Sequence, residues 1–517
     1  MQLTPRAYQL AIFESAMQHG NTLVVLPTGL GKTLIALMLI KEKMKEGRCL
    51  FLTPTKPLAK QHADSIKKVL ELDDAHVSLV TGEMAPSKRR AEYEKDVIVS
   101  TPQTIRNDIE NKRFGTNYKL IIVDECHRAV GDYAYTNIAK ELKDTALIVG
   151  LTASPGGKRE RIKEVMDNLF ISNIEIRTAS DPDVSPYVQK SNIKWLPIDL
   201  SPTLKLIKKE LDQIVSKYAK RLGEMGFPPP IKHKGKFLEL RQRILNIPHN
   251  IKYPALVQYS VLLHALHMSE LLETQGVYPL LRYIDKVAEK ETKSAGILLR
   301  EPGIAKVREL AASGEEHPKL KKLVELLNGM AGKKVIVFVQ YRDQIKKIEE
   351  TLKANGIRAN QFVGKKDGVT RKIQEATIAD FRDGKFDVMV SSCIGEEGLD
   401  IPKVDSVIFY EPIPSEIRSI QRRGRAARLQ EGEIIILMTK DTRDEFYYWS
   451  SKRKEQRMKE ILGQMQEKMR RDYGKETSKE KTGSKKIQVA APFVVVPEKA
   501  TPKSRPPPGQ TKMSDFL

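Results

Sequence analysis

A glycine-rich segment early in the chain has the residue types that bind the phosphates of a nucleotide. Residues 23–40 read LVVLPTGLGKTLIALMLI, an apolar run of strand type, a short loop and a helix. In such a loop the backbone N–H groups point at an anion, Lys32 would reach the outer phosphates and Thr33 would ligate Mg²⁺. Leu26 stands where the common form of the loop has its first glycine. An ordinary glycine turn before a buried helix is therefore the alternative interpretation. The predicted nucleotide contacts are Thr28, Gly29, Gly31, Lys32 and Thr33.

A second apolar run ends in the acidic residues that hydrolysis of a bound triphosphate requires. The segment KLIIVDECHRAV places Asp124 and Glu125 directly after residues 120–123, which are typical of a core strand in a parallel sheet. Ligands bind at the carboxyl ends of such strands. Asp124 would hold Mg²⁺, and Glu125 would polarise the attacking water. A charged pair that merely caps a strand is the alternative, and the glycine-rich loop upstream makes it the weaker one.

A cluster of arginines late in the chain supplies the charge that such a site needs. In IRSIQRRGRAARL, Arg425 and Arg428 are three residues apart and would share one helix face. As arginine fingers they would stabilise the transition state of phosphoryl transfer, an effect of roughly 10³–10⁵ in rate. A plain basic surface patch is the other interpretation. If the arginines belong to a second domain, ATP would close a cleft between domains and hydrolysis would open it, which would move a polymer lying across both.

Two regions of alternating strands and helices must position these groups. Apolar strand-like runs recur from residue 23 to about 176 and again from 317 to about 450, the pattern of doubly wound parallel sheets. Between them, strand runs vanish and long amphipathic segments at helical spacing dominate. After Trp449 a charged helix precedes Lys-, Ser- and Pro-rich sequence. The prediction is two α/β domains with doubly wound parallel sheets (1–184 and 317–455), an all-helical insert (185–316) and a basic, largely disordered tail (456–517).

Composition indicates a polyanionic partner. Lys and Arg outnumber Asp and Glu by 88 − 66 = 22 charges, and the isoelectric point is about 9.5. A net charge of either sign would keep the chain soluble, so solubility alone does not explain a positive excess. The excess of positive charge therefore favours nucleic acid as the partner. The three cysteines have no metal-ligand spacing, and no apolar run is long enough to span a membrane. The expectation is a cytoplasmic protein, associated with the nucleoid in a prokaryotic cell, with no membrane partner.

Taken in order, the motifs of both sheets resemble those of the superfamily-2 helicases. Within that superfamily, the chain resembles archaeal Hef and the Fanconi anaemia M helicase (FANCM) over roughly residues 1–455. The segments that carry this resemblance include DECHRAVGDYAY, EPIPSEIRSIQRRGR and ELLETQGVYPLLRYI. In this superfamily the phosphate loop often lacks its first glycine, which fits Leu26. The matching motifs are RAYQL (6–10), PTGLGKT (27–33), PTKPLA (54–59), STPQT (100–104), DECH (124–127), TAS (152–154), SSCIGEEGLDIP (391–402) and QRRGRAAR (421–428).

The resemblance implies an activity and a set of residue roles. It implies two RecA-like domains, ATP and Mg²⁺, and an ATP-dependent DNA helicase or translocase on forked or branched DNA, such as stalled replication forks and Holliday junctions, in DNA repair and recombination. Gln9 would read adenine. The implied coupling residues are His127, Thr152, Ser154 and Gln421. The implied nucleic-acid contacts, which would bind phosphates without reading bases, are Lys56, Thr101, Gln103 and Arg106 in the first domain and Gln340, Tyr341 and Arg342 in the second.

Departures from the family pattern bear on the substrate and the reaction. Cys126 stands where Hef-like proteins often have alanine, and cysteine there also occurs in Dicer and RIG-I-like duplex-RNA enzymes. Ala426 and Ala427 replace the usual Thr-Gly before Arg428, and a helix accommodates alanine better than glycine, so Arg428 is still expected to act as an arginine finger.

Full-length Hef resembles a helicase fused to a nuclease with an E-R-K-x-x-x-D core. No such core follows residue 450, so no nuclease activity is expected and a separate nuclease is a candidate partner.

Two further segments are candidate binding surfaces. KHKGKFLELRQR is a basic helical face that would grip duplex DNA through Lys232, Lys236, Arg241 and Arg243, or would simply be solvated. The final residues QTKMSDFL resemble a sliding-clamp (PCNA-like) binding peptide, and a chance hydrophobic end is the alternative. The clamp contacts would be Gln510, Met513, Phe516 and Leu517.

Two other functions stay open from the residues alone. One is a duplex-RNA-stimulated ATPase of the RIG-I and Dicer type, which ATPase stimulation by RNA duplex and by forked DNA would separate. The other is a non-catalytic scaffold that binds DNA junctions. Intact Lys32, Asp124 and Glu125 argue against the scaffold, because a binding module needs no hydrolysis machinery.

Overall fold

The structure is a computed structural model that describes residues 4–178, 181–187, 192–231, 234–247, 249–364, 370–392, 404–412 and 433–480. The chain divides into two compact units, Met1–Met469 and Arg470–Leu517. The elements below belong to the first unit. In the second unit only the end of the last helix is described.

The first domain is built on a parallel sheet whose described strands follow the order β3-β4-β2-β5-β6-β1-β7. Every strand pair in it is parallel. The apolar runs of the sequence become these strands, as predicted. Their bounds are β1 (Thr22–Val25), β2 (Arg48–Leu52), β3 (Val77–Val80), β4 (Val97–Ser100), β5 (Tyr118–Asp124), β6 (Leu147–Thr152) and β7 (Asn173–Ile176).

Helices cover both faces of this sheet. Leu120 and Ile122 of β5 belong to one hydrophobic core, whereas Ile121 and Val123 belong to the other, because successive side chains of a strand point to opposite faces. A strand that is buried on both faces must be apolar throughout, which explains the unbroken run before Asp124. The helices are α1 (Ala7–His19), α2 (Lys32–Lys43), α3 (Lys56–Leu70), α4 (Pro86–Glu92), α5 (Pro102–Glu110), α6 (Ala134–Leu142) and α7 (Arg159–Asn168).

The strand order brings the chemically interesting segments to one edge of the sheet. β6 lies between β1 and β5. Val25 of β1 is in register with Thr152 of β6, and Asp124 of β5 is in register with Leu151. The carboxyl ends of three adjacent parallel strands therefore carry the glycine-rich loop, the TAS segment and the DECH segment.

The second domain is a parallel sheet with the described order β10-β11-β9-β12-β13-β8. Strand β8 differs from the expectation of an all-helical segment from residue 185, because it pairs along its whole length with β13. It is an edge strand, where Pro197 is tolerated. The bounds are β8 (Asn192–Ile198), β9 (Val335–Phe338), β10 (Ala359–Phe362), β11 (Val388–Ser391), β12 (Ser406–Phe409) and β13 (Glu433–Thr439).

The insert is helical from Pro202 onward. Its helices share a core of buried side chains that includes Leu211, Tyr218, Leu262 and Leu280. They are α8 (Pro202–Glu224), α9 (Lys234–Leu245), α10 (His249–Thr274), α11 (Val277–Ala288), α12 (Lys293–Leu299) and α13 (Pro302–Ala311). The second domain adds α14 (Pro318–Asn328), α15 (Arg342–Ala354) and α16 (Arg371–Arg382). The predicted fold class, two parallel-sheet α/β domains with helices between them, is confirmed.

A long helix, α17 (Arg443–Glu480), leads away from β13 and packs on the first domain. Met458, Ile461 and Leu462 are buried in the same core as Ile121 and Ile148. The charged helix expected after Trp449 is present, and residues 456–469, which the prediction assigned to the tail, pack on the first domain. The apolar side chains recur at helical spacing, and burying them against another domain stabilises the helix.

A buried polar junction joins the insert to the second domain. Lys319 forms an ion pair with Asp444, and both side chains are fully buried. Nζ of Lys319 also donates to the Thr274 carbonyl at 3.2 Å, and Oγ1 of Thr439 donates to Asp444 at 3.0 Å. The ends of α10, α14, β13 and α17 thus meet in one hydrogen-bonded cluster.

Within the described part of the chain, no helix combines the length and the apolar character needed to cross a membrane.

Candidate ATP site and nucleic-acid groove

The glycine-rich loop connects β1 to α2 through two left-handed glycines. Gly29 has φ +87° and Gly31 has φ +78°, a region that favours glycine. A Cβ at Gly31 would also lie 2.4 Å from Nε2 of Gln9, so a larger residue there would displace the Gln9 side chain from the loop. A Cβ at Gly29 would meet nothing within 4 Å, which leaves open space beside the backbone there. Because α2 begins at Lys32, the loop presents its amides at a helix N-terminus, which suits phosphate.

Residues of α1 hold the loop from behind. Nε2 of Gln9 donates to the Leu30 carbonyl at 3.1 Å, and the Tyr8 hydroxyl donates to the same carbonyl at 2.8 Å. Oε1 of Gln9 accepts from the Arg6 amide at 2.8 Å. Gln9 therefore lies beside the phosphate loop, and its contact with adenine stays a prediction.

Lys32 is held within the loop. Its Nζ donates to the Leu26 carbonyl at 2.8 Å. Burial of this half-buried side chain lowers the pKa of Lys32, while the carboxylates of Glu125 and Asp124 act to raise it. Leu26 follows β1 and Asp124 ends β5, and both strands flank β6, so the loop and the DECH segment lie at the same edge of the sheet.

The two acidic residues occupy the end of β5. Glu125 has φ +49°, an uncommon conformation for a residue with a side chain, and a short 3₁₀ turn follows it. Strain of this kind persists where the surroundings hold it and concentrates at functional sites. Burial alone would raise the pKa of Glu125, but His127 and Lys32 together hold the pKa below its ordinary value. Glu125 is therefore an ionised carboxylate at neutral pH.

The coupling residues form a short chain of contacts. Nδ1 of His127 lies 3.2 Å from Oε2 of Glu125 and 3.2 Å from Oγ1 of Thr152. The Ser154 amide donates to the same Thr152 oxygen at 3.1 Å. The Leu26 amide donates to the Thr152 carbonyl at 3.1 Å, which ties this segment to the phosphate loop.

Two contacts of this site were not predicted. Nε2 of His62 lies 3.4 Å from Oδ2 of Asp124. Oγ of Ser154 donates to Sδ of Met458 at 3.0 Å, so α17 contacts the TAS segment. The apolar spacing of α17 signals that one face is buried. No signal in one sequence shows which way the His62 ring points.

A groove of about 440 Å³ lies where α3 and α5 begin. Two helix N-termini converge there, an arrangement that favours an anion such as a phosphate. The structure thus brings together three of the four predicted contacts of the first domain. The groove is lined by Pro54, Thr55, Lys56, Gly82, Arg89, Thr101, Gln103, Thr104 and Asn107.

The basic residues at this groove are paired with acidic ones. Nζ of Lys56 lies 2.7 Å from Oε1 of Glu83, and both side chains are exposed. Arg106 contacts Glu110 at 2.8 Å and Asp132 at 3.2 Å. Nucleic acid that used these cations would compete with exposed carboxylates, which are weak partners in water.

The predicted contacts of the second domain have different environments. Gln340 is exposed, and its backbone N–H donates to a carboxylate oxygen of Glu411. Nη2 of Arg342 donates to the Gly364 carbonyl at 3.2 Å. Tyr341 packs against the core of the insert, so its ring is used for packing. Lys236, Arg241 and Arg243 on α9 are exposed.

Several predicted residues lie outside the described residues and stay predictions. They are Lys232, Gln421, Arg425, Arg428, Gln510, Met513, Phe516 and Leu517.

Comparison with known proteins agrees with this arrangement. Residues 2–157 match the family described as type III restriction enzyme, res subunit, and residues 318–430 match the helicase conserved C-terminal domain. The crystal structure of the Pyrococcus furiosus Hef helicase domain superposes with a TM-score of 0.68 at 41% identity, over 86% of this chain and 98% of that one. This chain belongs to the Hef/FANCM family of superfamily-2 helicases.

Other relatives of this Hef/FANCM-type chain are longer than the chain itself. A Methanocaldococcus jannaschii protein named as an ATP-dependent RNA helicase is 39% identical over 481 residues, which is 90% of this chain and 61% of the relative. The ATP-dependent DNA helicase MPH1 of Pyricularia oryzae is 34% identical over 86% of this chain and 44% of its own length. The Arabidopsis thaliana DEAD-box ATP-dependent RNA helicase FANCM is 32% identical over 84% and 34%.

Proposed function

We propose that this Hef/FANCM-type chain is an ATP-dependent helicase or translocase that acts on forked or branched DNA in DNA repair. The observation that carries the proposal is the convergence of Lys32, Glu125 and Thr152 at the carboxyl ends of three adjacent strands. The match to almost the whole Hef helicase domain supports it. MPH1, which is named as a DNA helicase, supports DNA as the substrate.

Different residues of this site would carry out the separate parts of ATP hydrolysis. The loop amides and Lys32 would bind the triphosphate, with Lys32 exchanging the Leu26 carbonyl for a phosphate oxygen. The ionised Glu125 carboxylate would orient the attacking water and accept its proton. Bound Mg²⁺ would neutralise charge on the β- and γ-phosphates. The oxygens that fit this ion are the carboxylate of Asp124 and the hydroxyl of Thr33.

Movement would follow from the contacts between the carboxylate and the TAS segment. His127 contacts Glu125 and Thr152 at the same distance, so a change at Glu125 alters the partner of the imidazole. Thr152 and Ser154 share a hydrogen bond. A rearrangement at the nucleotide would therefore reach the segment on which α17 packs.

Arg425 and Arg428 are proposed as the arginine fingers of the second domain. Lys32 and Mg²⁺ would compensate the developing charge of the transition state only in part, and guanidinium groups would supply the remainder. Replacing either arginine by alanine should lower the rate of hydrolysis by roughly 10³-fold or more and leave nucleotide affinity largely intact. Replacing the neighbouring Arg422 tests whether any arginine of this cluster would have the same effect.

The groove at the starts of α3 and α5 is the proposed path of one DNA strand in the first domain. Thr101 and Gln103 would bind phosphates through the N-terminus of α5, and Lys56 would do so through that of α3. Arg106 is the flanking cation. Gln340 and Arg342 are the proposed contacts of the second domain, and Lys232, Lys236, Arg241 and Arg243 those of the insert.

A single titration tests the substrate. ATP hydrolysis is measured against linear, forked and four-way DNA and against an RNA duplex, with Lys32→Ala as the inactive control. Forked and four-way DNA should stimulate hydrolysis most. Equal stimulation by linear and branched DNA would remove branch specificity, and full fork remodelling by Lys32→Ala would point to a junction-binding scaffold.

A duplex-RNA-stimulated ATPase is the second candidate. Two relatives are named as RNA helicases, and one of them shares 39% identity over 90% of this chain. Stronger stimulation by RNA duplex than by forked DNA in the same titration would favour this function.

A sliding clamp of the PCNA type is the proposed protein partner. The peptide QTKMSDFL would place Met513, Phe516 and Leu517 in an apolar pocket of the clamp, with Gln510 at its edge. Deleting residues 510–517 should abolish co-purification with the clamp, and unchanged binding would contradict the assignment.

We further propose that the chain does not cut DNA and that any cutting in the cell comes from a separate nuclease. Cleavage by the pure protein with Mg²⁺ would contradict this.

A further inference from the structure

Helix α3 carries a histidine that lies against the proposed metal ligand. Nε2 of His62 is 3.4 Å from Oδ2 of Asp124, and only 12% and 14% of the two side chains are exposed. The imidazole also packs on the ring of Phe51, with centroids 4.5 Å apart and an interplanar angle of 31°. With its proton on Nε2, the imidazole donates toward the carboxylate, and such outer contacts fix the orientation of a metal ligand.

The sheet determines where this ring lies. Phe51 is buried on β2 and is in register with Ile122 of the adjacent β5. Its ring therefore supports the imidazole beside the end of β5, where Asp124 is located. The Asp124 carbonyl is held separately, because the Tyr135 hydroxyl donates to it at 2.7 Å. The carbonyl and the carboxylate of Asp124 are thus held from two different helices, α6 and α3.

The same helix begins in the proposed nucleic-acid groove. Thr55 is the N-cap of α3 and Lys56 is its first residue, and both line the groove. His62 follows six residues later, about 9 Å along the axis at 1.5 Å per residue. A helix is stiff over this distance and α3 is packed on the sheet through Ala59 and Ala63, so a shift of its N-terminus moves His62 as well.

We propose that His62 is a positioning residue that connects nucleic acid in this groove to the metal-binding carboxylate of Asp124. The inference rests on the proposed function, which supplies the groove's ligand and the metal role of Asp124. Nucleic acid bound at Thr55 and Lys56 sets the position of α3. Through His62, α3 sets the orientation in which Asp124 meets Mg²⁺. Part of the stimulation of ATP hydrolysis by nucleic acid therefore acts through metal affinity.

The test compares His62→Ala and His62→Gln with the wild type, with Asp64→Ala as a control on the exposed side of the same helix. Glutamine retains an N–H donor of similar reach. Two quantities are measured with and without forked DNA. One is the Mg²⁺ concentration that gives half-maximal ATP hydrolysis. The other, independent of turnover, is the Mg²⁺ dependence of the affinity for a fluorescent ADP analogue.

His62→Ala should raise the half-maximal Mg²⁺ concentration about tenfold, the effect typical of losing an outer partner of a metal ligand. It should also lower stimulation by DNA several-fold while DNA affinity changes by less than twofold. His62→Gln should recover most of both effects, and Asp64→Ala should match the wild type. Unchanged Mg²⁺ dependence in His62→Ala overturns the proposal. So does an equal loss in both variants together with a lower melting temperature, because that pattern indicates packing alone.

Failure of the proposed function gives a different result. If no nucleic acid stimulates hydrolysis by the wild type, the substrate assignment is wrong. The Mg²⁺ dependence of ADP binding then still shows whether His62 positions Asp124.

Discussion

Ser154 and Met458, 304 residues apart in the chain, are joined by a hydrogen bond of 3.0 Å from the serine hydroxyl to the methionine sulfur. Ser154 belongs to the TAS segment of the first domain, and Met458 belongs to the helix that follows the last strand of the second. Gln466 on the same helix donates to the Ile174 carbonyl at 2.8 Å. The two α/β domains are therefore connected by a packed helix, besides the chain that runs through the insert.

We predict that this helix is attached mainly by its buried apolar residues. Leu462 is fully buried in the core of the first domain, so Leu462→Ala should weaken the attachment by about 2–5 kcal/mol, as for other large-to-small core changes. Hydrogen exchange is a suitable measure, because it reports local opening. Amides of residues 458–468 should exchange faster in Leu462→Ala. Lys459→Ala, at an exposed position one turn away, should leave exchange unchanged, and an equal increase in both variants would contradict the assignment.

Glu125→Gln should separate nucleotide binding from hydrolysis. The glutamine keeps the size of the side chain but cannot accept the proton of the attacking water. Loss of a general base typically lowers the rate by 10²–10⁴-fold, so we expect at least about a hundredfold loss of single-turnover hydrolysis with ADP affinity within about threefold of the wild type. Glu160→Gln, at an exposed position on α7, is the matched control. Wild-type hydrolysis by Glu125→Gln would exclude the proposed role.

The sequence predicts the strands best where the pattern and the burial agree. The run 120–123 is apolar because β5 is covered on both faces, so pattern and position are determined by the same cause. Strand β8 was missed because Lys194 and Pro197 interrupt its apolar character. A sheet edge tolerates both residues, and the edge position follows only from pairing with β13, far along the chain.

The residues of the candidate site can likewise be separated into those that the sequence predicts and those that it does not. The loop glycines, Asp124 and Glu125 are found from local spacing, because the chemistry acts through segments of a few residues. His62 and Met458 reach the site through tertiary packing, one through the adjacency of β2 and β5 and the other through a helix from another domain. Their spacing within the sequence has no relation to their partners, so a single sequence contains no signal for either contact.

The ion pair between Lys56 and Glu83 leads to a prediction about DNA binding. Lys56→Ala should lower the slope of log affinity against log salt by about 0.7–0.9, the value for one released counterion. Glu83→Gln frees the ammonium group from its partner at 2.7 Å, so DNA affinity should rise. Lys68→Ala, at an exposed position near the other end of α3, should change neither quantity. An unaltered slope in Lys56→Ala would mean that the strand follows another path.

His317 should make stability depend on pH in a direction that its contacts determine. It caps α14, with Nδ1 accepting from the Lys319 amide at 3.1 Å and Nε2 donating to the Glu273 carbonyl at 3.2 Å. Both bonds suit the neutral ring. Burial, assisted by the Lys319 ammonium group, lowers the pKa of His317 to about 3, against the opposing effect of the Glu273 carbonyl. The buried acidic groups of this junction are Asp444, which pairs with Lys319, and Glu273, whose carboxylate pairs with Lys208.

Since the pKa of His317 is lower in the folded protein than the ordinary 6.5, the unfolded chain takes up the proton first as the pH falls. The stabilisation is therefore complete above about pH 6.5 and is lost between about 6.5 and 3, by roughly 1.4 kcal/mol per pH unit.

The variant His317→Asn tests this dependence, because asparagine keeps a capping oxygen but does not titrate. Urea denaturation of both proteins should show the advantage of the wild type shrinking by about 2 kcal/mol between about pH 7.5 and 5. His76→Asn should show the opposite dependence, because Asp73 raises the pKa of that exposed histidine. A difference between wild type and His317→Asn that stays constant across this range would show that His317 does not remain neutral in the folded protein.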